Sequence, residues 1–165
     1  MSQINTTITL IACLLISNIG YTVEFDEKDN IYINKIIPIL QETNEQLFAF
    51  NKVVANFQVE TDISISQTTK LCSEANPTYK QLRKLETALA VTEPGKTLIN
   101  FHNLLNKLIV IRIKILIIVI NLCAEDPDFE KPEALETVAA KLQVLNNQAQ
   151  RLSTELAKEA EKLKL

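Results

Sequence analysis

Glycine is nearly missing from this chain of 165 residues, with only Gly20 and Gly95 present. Gly-rich loops that cradle phosphate need several glycines close together, so nucleotide sites of that kind are excluded. No Gly-x-Ser-x-Gly elbow supports a nucleophilic serine. Histidine occurs once, as His102, and methionine once, as Met1. A structural zinc site wants four good ligands, and a haem bundle wants a second axial ligand, so both lack partners. The paired Glu-x-x-His motifs of di-iron bundles are also missing. These gaps lead to the expectation of a non-catalytic protein with no metal and no cofactor. His102 lies beside Phe101 and Leu105 and reads as a boundary histidine satisfied by a hydrogen bond.

Positive charge is not concentrated anywhere. Seventeen Lys and Arg stand against twenty Asp and Glu, for a net charge of -3. Near the C-terminus Lys158, Lys162 and Lys164 alternate with Glu155, Glu159 and Glu161, as on a solvated helical face. Nucleic-acid binding, which needs a basic face, is therefore not expected. The connection at 125–130 is acidic but lacks the ligand series and central glycine of a calcium loop.

The first charge appears only at Glu24, and residues 8–19 form the apolar run ITLIACLLISNI. Its length suits the core of a secretion signal better than a membrane span. Residues 1–22 are thus expected to be a signal peptide or apolar leader, and 23–165 a single helical domain. The n-region has no Lys or Arg, so a retained membrane anchor stays open as the alternative. Loss of the leader would remove Cys13 and leave Cys72 and Cys123. In an oxidising compartment these two form one intramolecular disulfide or remain two buried thiols.

Hydrophobic residues make up 47% and charged residues 22% of the chain, which suits a folded domain. Apolar and small positions recur at three- and four-residue spacing in four segments. The first stripe runs Ile33, Ile36, Leu40, Thr43, Leu47, Phe50, Val54, Phe57, with Asp29 or Asn30 as its cap and Pro38 near its start. The polar Asn44, Gln46, Asn51, Asn56 and Gln58 of that helix are expected to face water, the more ordinary case, or to hydrogen-bond another helix. The second stripe includes Cys72, Ala75, Tyr79, Leu82, Leu85 and Leu89, and Pro77 predicts a kink or fresh start within it. Glu93-Pro94-Gly95 predicts a true turn.

The third segment, Phe101 to Cys123, is the most apolar after the leader. Its polar side is the sparse stripe Asn100, Asn103, Lys107, Lys114 and Asn121, so a helix touching several neighbours is expected despite its β-branched content. Lys114 should face water, and Arg112 should lay its stem on the core and lift its head to the rim. A membrane span would have to accommodate both charges near its centre. The fourth stripe, Leu135 to Leu163, suits a bundle or a dimerising coiled coil.

The fold expected is all-α: a four-helix up-and-down bundle with a Pro-interrupted second helix and an N-terminal leader. The function expected is that of a secreted or otherwise extracytoplasmic protein binding a protein or surface partner. One alternative is a carrier of a small apolar ligand in a pocket lined by Phe50, Phe57, Tyr79 and Phe101. Another is a membrane-associated structural protein.

Overall fold

The computed structural model describes residues 24–59, 65–124 and 132–165. The expected leader at 1–22 lies outside the described residues. Four helices follow one another: α1 (Glu27–Val59), α2 (Ile65–Val91), α3 (Ile99–Ala124) and α4 (Pro132–Leu163), with no strand among the described residues. The β-branched run of the third segment is therefore helical. Burial on several sides outweighs its local strand preference.

Cross-helix contacts give the directions. Glu42 of α1 accepts hydrogen bonds from Gln81 and Lys84 of α2, while Gln46 donates to Glu74 and Thr78, so these helices are antiparallel. Tyr32 meets His102, which sets α3 parallel to α1. Asn100 lies beside Glu159, so α4 runs antiparallel to α3. The chain is an up-and-down bundle in which α1 packs on α2, α2 on α3 and α3 on α4. Among the described residues no Cα of α1 comes within 8 Å of a Cα of α4. One side of the bundle is thus a wider seam than the other three.

A single cluster of buried side chains fills the interior, including Ile36, Leu82, Leu85, Leu105, Leu116 and Leu156. Each such side chain contributes roughly 1.5–3 kcal/mol when fully removed from water. The polar stripe Asn100, Asn103, Lys107, Lys114 and Asn121 is exposed as expected. No helix among the described residues is long and apolar enough to cross a membrane.

Local details depart from expectation in three places. The first helix starts at Glu27, and its cap is Asp26, whose Oδ1 accepts the Asp29 N–H at 2.8 Å. Asp29 and Asn30 are consequently inside the first turn, and the buried face begins with Asp29 and Tyr32 rather than Ile33. The second helix carries Pro77 in its interior without ending there. Its exposed proline costs a backbone donor but no core contact, and Thr78 Oγ1 binds the carbonyl of Glu74 at 2.7 Å beside it. Finally, Asn44 is buried, 8% exposed, and not in water.

The turn between α2 and α3 is where expected, at 92–98. Gly95 is buried there under the start of α1. A Cβ at this position would lie 2.5 Å from Asp29 Cγ and Oδ1, and nearer still to Asp26 Oδ1. Its lack of a side chain is what lets the turn seat on α1. Asp29 Oδ1 then accepts the Leu98 N–H at 3.3 Å, supplying the opening of α3 with an acceptor from 69 residues away. At the other end, Lys164 adopts φ 55° and Leu165 N–H reaches back to the Ala160 carbonyl at 3.0 Å, closing α4.

Candidate functional site

Cys72 on α2 and Cys123 on α3 are joined, with Sγ atoms 2.06 Å apart and Cα atoms 5.7 Å apart. The pair lies at the end of the α2–α3 hairpin opposite the 92–98 turn. Two connections therefore hold that hairpin, one at each end.

The four aromatics expected to line a pocket do not share one environment. Phe101 and Phe50 are core residues, 1% and 4% exposed, and Tyr79 packs half-buried against the same cluster. The side chain of Phe57 lies outside the described residues. A small, partly open pocket lies elsewhere, between α1, α3 and α4. It is a cavity of about 20 Å³ to which α1 contributes Leu40, Asn44 and Leu47, α3 contributes Leu108 and Arg112, and α4 contributes Ser153.

Arg112 lines this pocket and stays partly exposed. Lys114 reaches water, and partial burial pulls Arg112 below the ordinary arginine value. Leu105, Leu108 and Ile109 line the same space. The neighbouring Asn44 has a buried Nδ2 with no acceptor among the described residues. Residue type alone flagged Arg112 as an anomaly of an apolar run. Only the packing places Asn44 and Ser153 beside it.

A second, open depression of about 620 Å³ lies at the α2–α3 corner. Its walls mix Arg83, Glu86, Val91, Pro94, His102 and Asn106. Among the described residues Val91 is the most exposed of the large apolar side chains, at 76%. His102 forms one wall and is tied to the core: its Nδ1 lies 3.2 Å from the Tyr32 hydroxyl, and the rings meet edge-on at 5.6 Å. Burial raises the Tyr32 hydroxyl above its ordinary value and lowers His102, so both are held neutral at physiological pH. This is the satisfied boundary histidine expected from the sequence.

The remaining shifted groups are dispersed surface pairs. Lys84 and Gln81 hold Glu42 below the usual carboxylate range, and Asn100 with Lys162 does the same for Glu159. Among the described residues no group of three His, Cys, Asp or Glu side chains could hold a metal ion. No family model, curated protein or solved structure matches the chain.

Proposed function

We propose that this chain is a non-catalytic, extracytoplasmic helical-bundle protein that binds a protein or surface partner at its α2–α3 corner. The observation that carries the reading is the open depression at that corner, with the 76% exposed Val91 on its wall. Large apolar side chains at a mixed polar and apolar rim are what partner surfaces offer. The Cys72–Cys123 bond supports an oxidising compartment, because such bonds are kept reduced in most cytosols. A catalytic role has less support, since the shifted titratable groups sit apart from one another and each is explained by a neighbour or by burial.

The apolar-carrier alternative draws little from the geometry. About 20 Å³ holds one small occupant and no hydrocarbon ligand, for which engineered precedents are on the order of 150 Å³.

Photo-crosslinking tests the reading. A photoreactive residue replacing Val91 is expected to give a discrete, saturable adduct in the native compartment, while the same residue replacing the exposed Val144 of α4 gives none. Absence of any Val91 adduct, or equal adducts at both positions, would remove the corner from consideration.

A further inference from the structure

Three seams of the bundle are flanked by ion pairs, and the fourth is not. Lys84 and Glu42 face each other across α2 and α1 at 2.7 Å, Arg83 and Glu86 pair beside the α2–α3 corner, and Lys162 pairs with Glu159 where α4 meets α3. Between α1 and α4 no Cα atoms approach within 8 Å among the described residues, and none of these pairs spans the gap. Helix geometry identifies what borders it. Each residue turns a helix by about 100°, so the side of α1 opposite Glu42 and Gln46, which face α2, carries Ile33, Ile37, Gln41, Asn44, Phe48 and Asn51. The side of α4 opposite Glu159, which faces α3, carries Gln143, Asn146, Gln150, Ser153 and Ala157. None of them is charged, although 22% of the chain is. Gln41, Phe48, Gln143, Asn146 and Gln150 are exposed, Phe48 at 55%, while Ile33 and Ile37 are half-buried. The open seam is therefore bordered by a neutral strip, rich in exposed amides and carrying one exposed aromatic ring.

Those properties describe a surface that fits itself. Two-fold pairing sets one patch against its own copy, so a net charge on the patch meets its own sign and is repelled. Amides escape this, because each both donates and accepts and finds its complement in the second copy. A nucleic acid or an acidic lipid surface would call for basic residues, which the strip lacks. We infer that the α1–α4 strip is the contact between two copies of this chain, with Phe48 of each laid against the seam of the other. From Ile33 to Asn51 α1 contributes about 27 Å of length, and from Gln143 to Ala157 α4 contributes about 21 Å, each about 10 Å wide, so the pair covers roughly 1,000 Å². That is the lower bound for a specific interface and makes the dimer reversible. The α2–α3 corner lies on the far side of the bundle, so the dimer presents two such corners outward.

The test uses the intact, disulfide-bonded chain recovered from its native compartment. Sedimentation velocity between about 5 and about 500 μM is expected to show the mass rising from one chain toward two. Phe48→Glu combined with Gln150→Glu puts like charge on both flanks and weakens dimerisation by about tenfold or more. Val144→Glu adds the same charge to an exposed site of α4 outside the strip and leaves dimerisation unchanged. Phe48→Lys combined with Gln150→Lys is impaired in the same way, and mixing the acidic and basic variants restores a dimer with one copy of each. Circular dichroism establishes that each variant keeps its helices, and the Gln150 substitutions carry the test alone if those at Phe48 do not fold. A chain that stays monomeric across the range, a dimer indifferent to the double substitutions, or acidic and basic variants that fail to pair when mixed overturns the proposal. A monomer in which a photoreactive residue at position 48 captures a different protein or a glycan assigns the strip to that occupant and overturns it equally.

Discussion

Tyr32 and His102 show how one polar contact is made affordable inside an apolar interface. Each ring buries its carbon face, and each satisfies the other's polar atom at 3.2 Å. Because burial lowers His102 in the folded state, the unfolded chain binds the proton more readily just below the ordinary value of 6.5. The sign follows from linkage: with more protons bound to the unfolded chain, stability rises with pH in that window and falls as the solution is acidified from about 6.5 downward. His102→Gln, which retains a polar side chain but cannot titrate, should therefore flatten the dependence of the melting temperature on pH between about 7 and 5.5. An unchanged slope in the variant would mean that other groups set it. Asp29 is the second informative residue. One of its oxygens serves the first turn of a helix remote in sequence, while Oδ2 is buried without a partner among the described residues.

Element boundaries depend on such single atoms more than on propensity. Gly95 sits where α1 and the α2–α3 turn touch, against both Asp26 and Asp29. Gly95→Ala must push the Asp29 carboxyl away from the Leu98 N–H or lift the turn off α1, and overpacking of this kind costs about 1–3 kcal/mol. The variant is expected to unfold at lower urea concentration with an unchanged slope, and a midpoint equal to that of the parent would contradict the packing described. The stripes Leu40, Thr43, Leu47 and Phe50, or Leu82, Leu85 and Leu89, were legible from spacing because a helix repeats every 3.6 residues whatever its partners are. So were the turn at Glu93 to Gly95 and the exposed stripe through Lys114. The start of α1 was not: Asp26, Asp29 and Asn30 are equivalent as cap residues by type, and only the meeting of Asp29 with Leu98 selects between them. Arg112 was legible as an oddity and illegible as part of a cavity, since Asn44 and Ser153 are 68 and 41 positions from it and no local pattern links them.

At the scale of the molecule the covalent link decides which half of the bundle can open. Close backbone approaches among the described residues run α1 to α2 to α3 to α4, with none between the first and last, so the α2–α3 hairpin is the spine to which both outer helices attach. That spine is joined at one end by the short 92–98 turn and at the other by Cys72–Cys123, across a sequence separation of 51. Closing a loop of this size restricts the unfolded chain by about 4 kcal/mol in the loop-entropy picture, at the upper end of the usual 2–4 kcal/mol. Replacing both cysteines with alanine should lower the free energy of unfolding by roughly that range while leaving the helical circular dichroism signal in place at room temperature. The loss should also be uneven. Leu98, Phe101 and Leu105 remain under the Asp29 and Tyr32 contacts, whereas Val119 and Ile120 lose the clamp beside them, so amide exchange should accelerate first near the Cys123 end of α3. Uniform acceleration along α3 in the double variant would show that the bond stabilises the bundle as one unit and does not pin its far end.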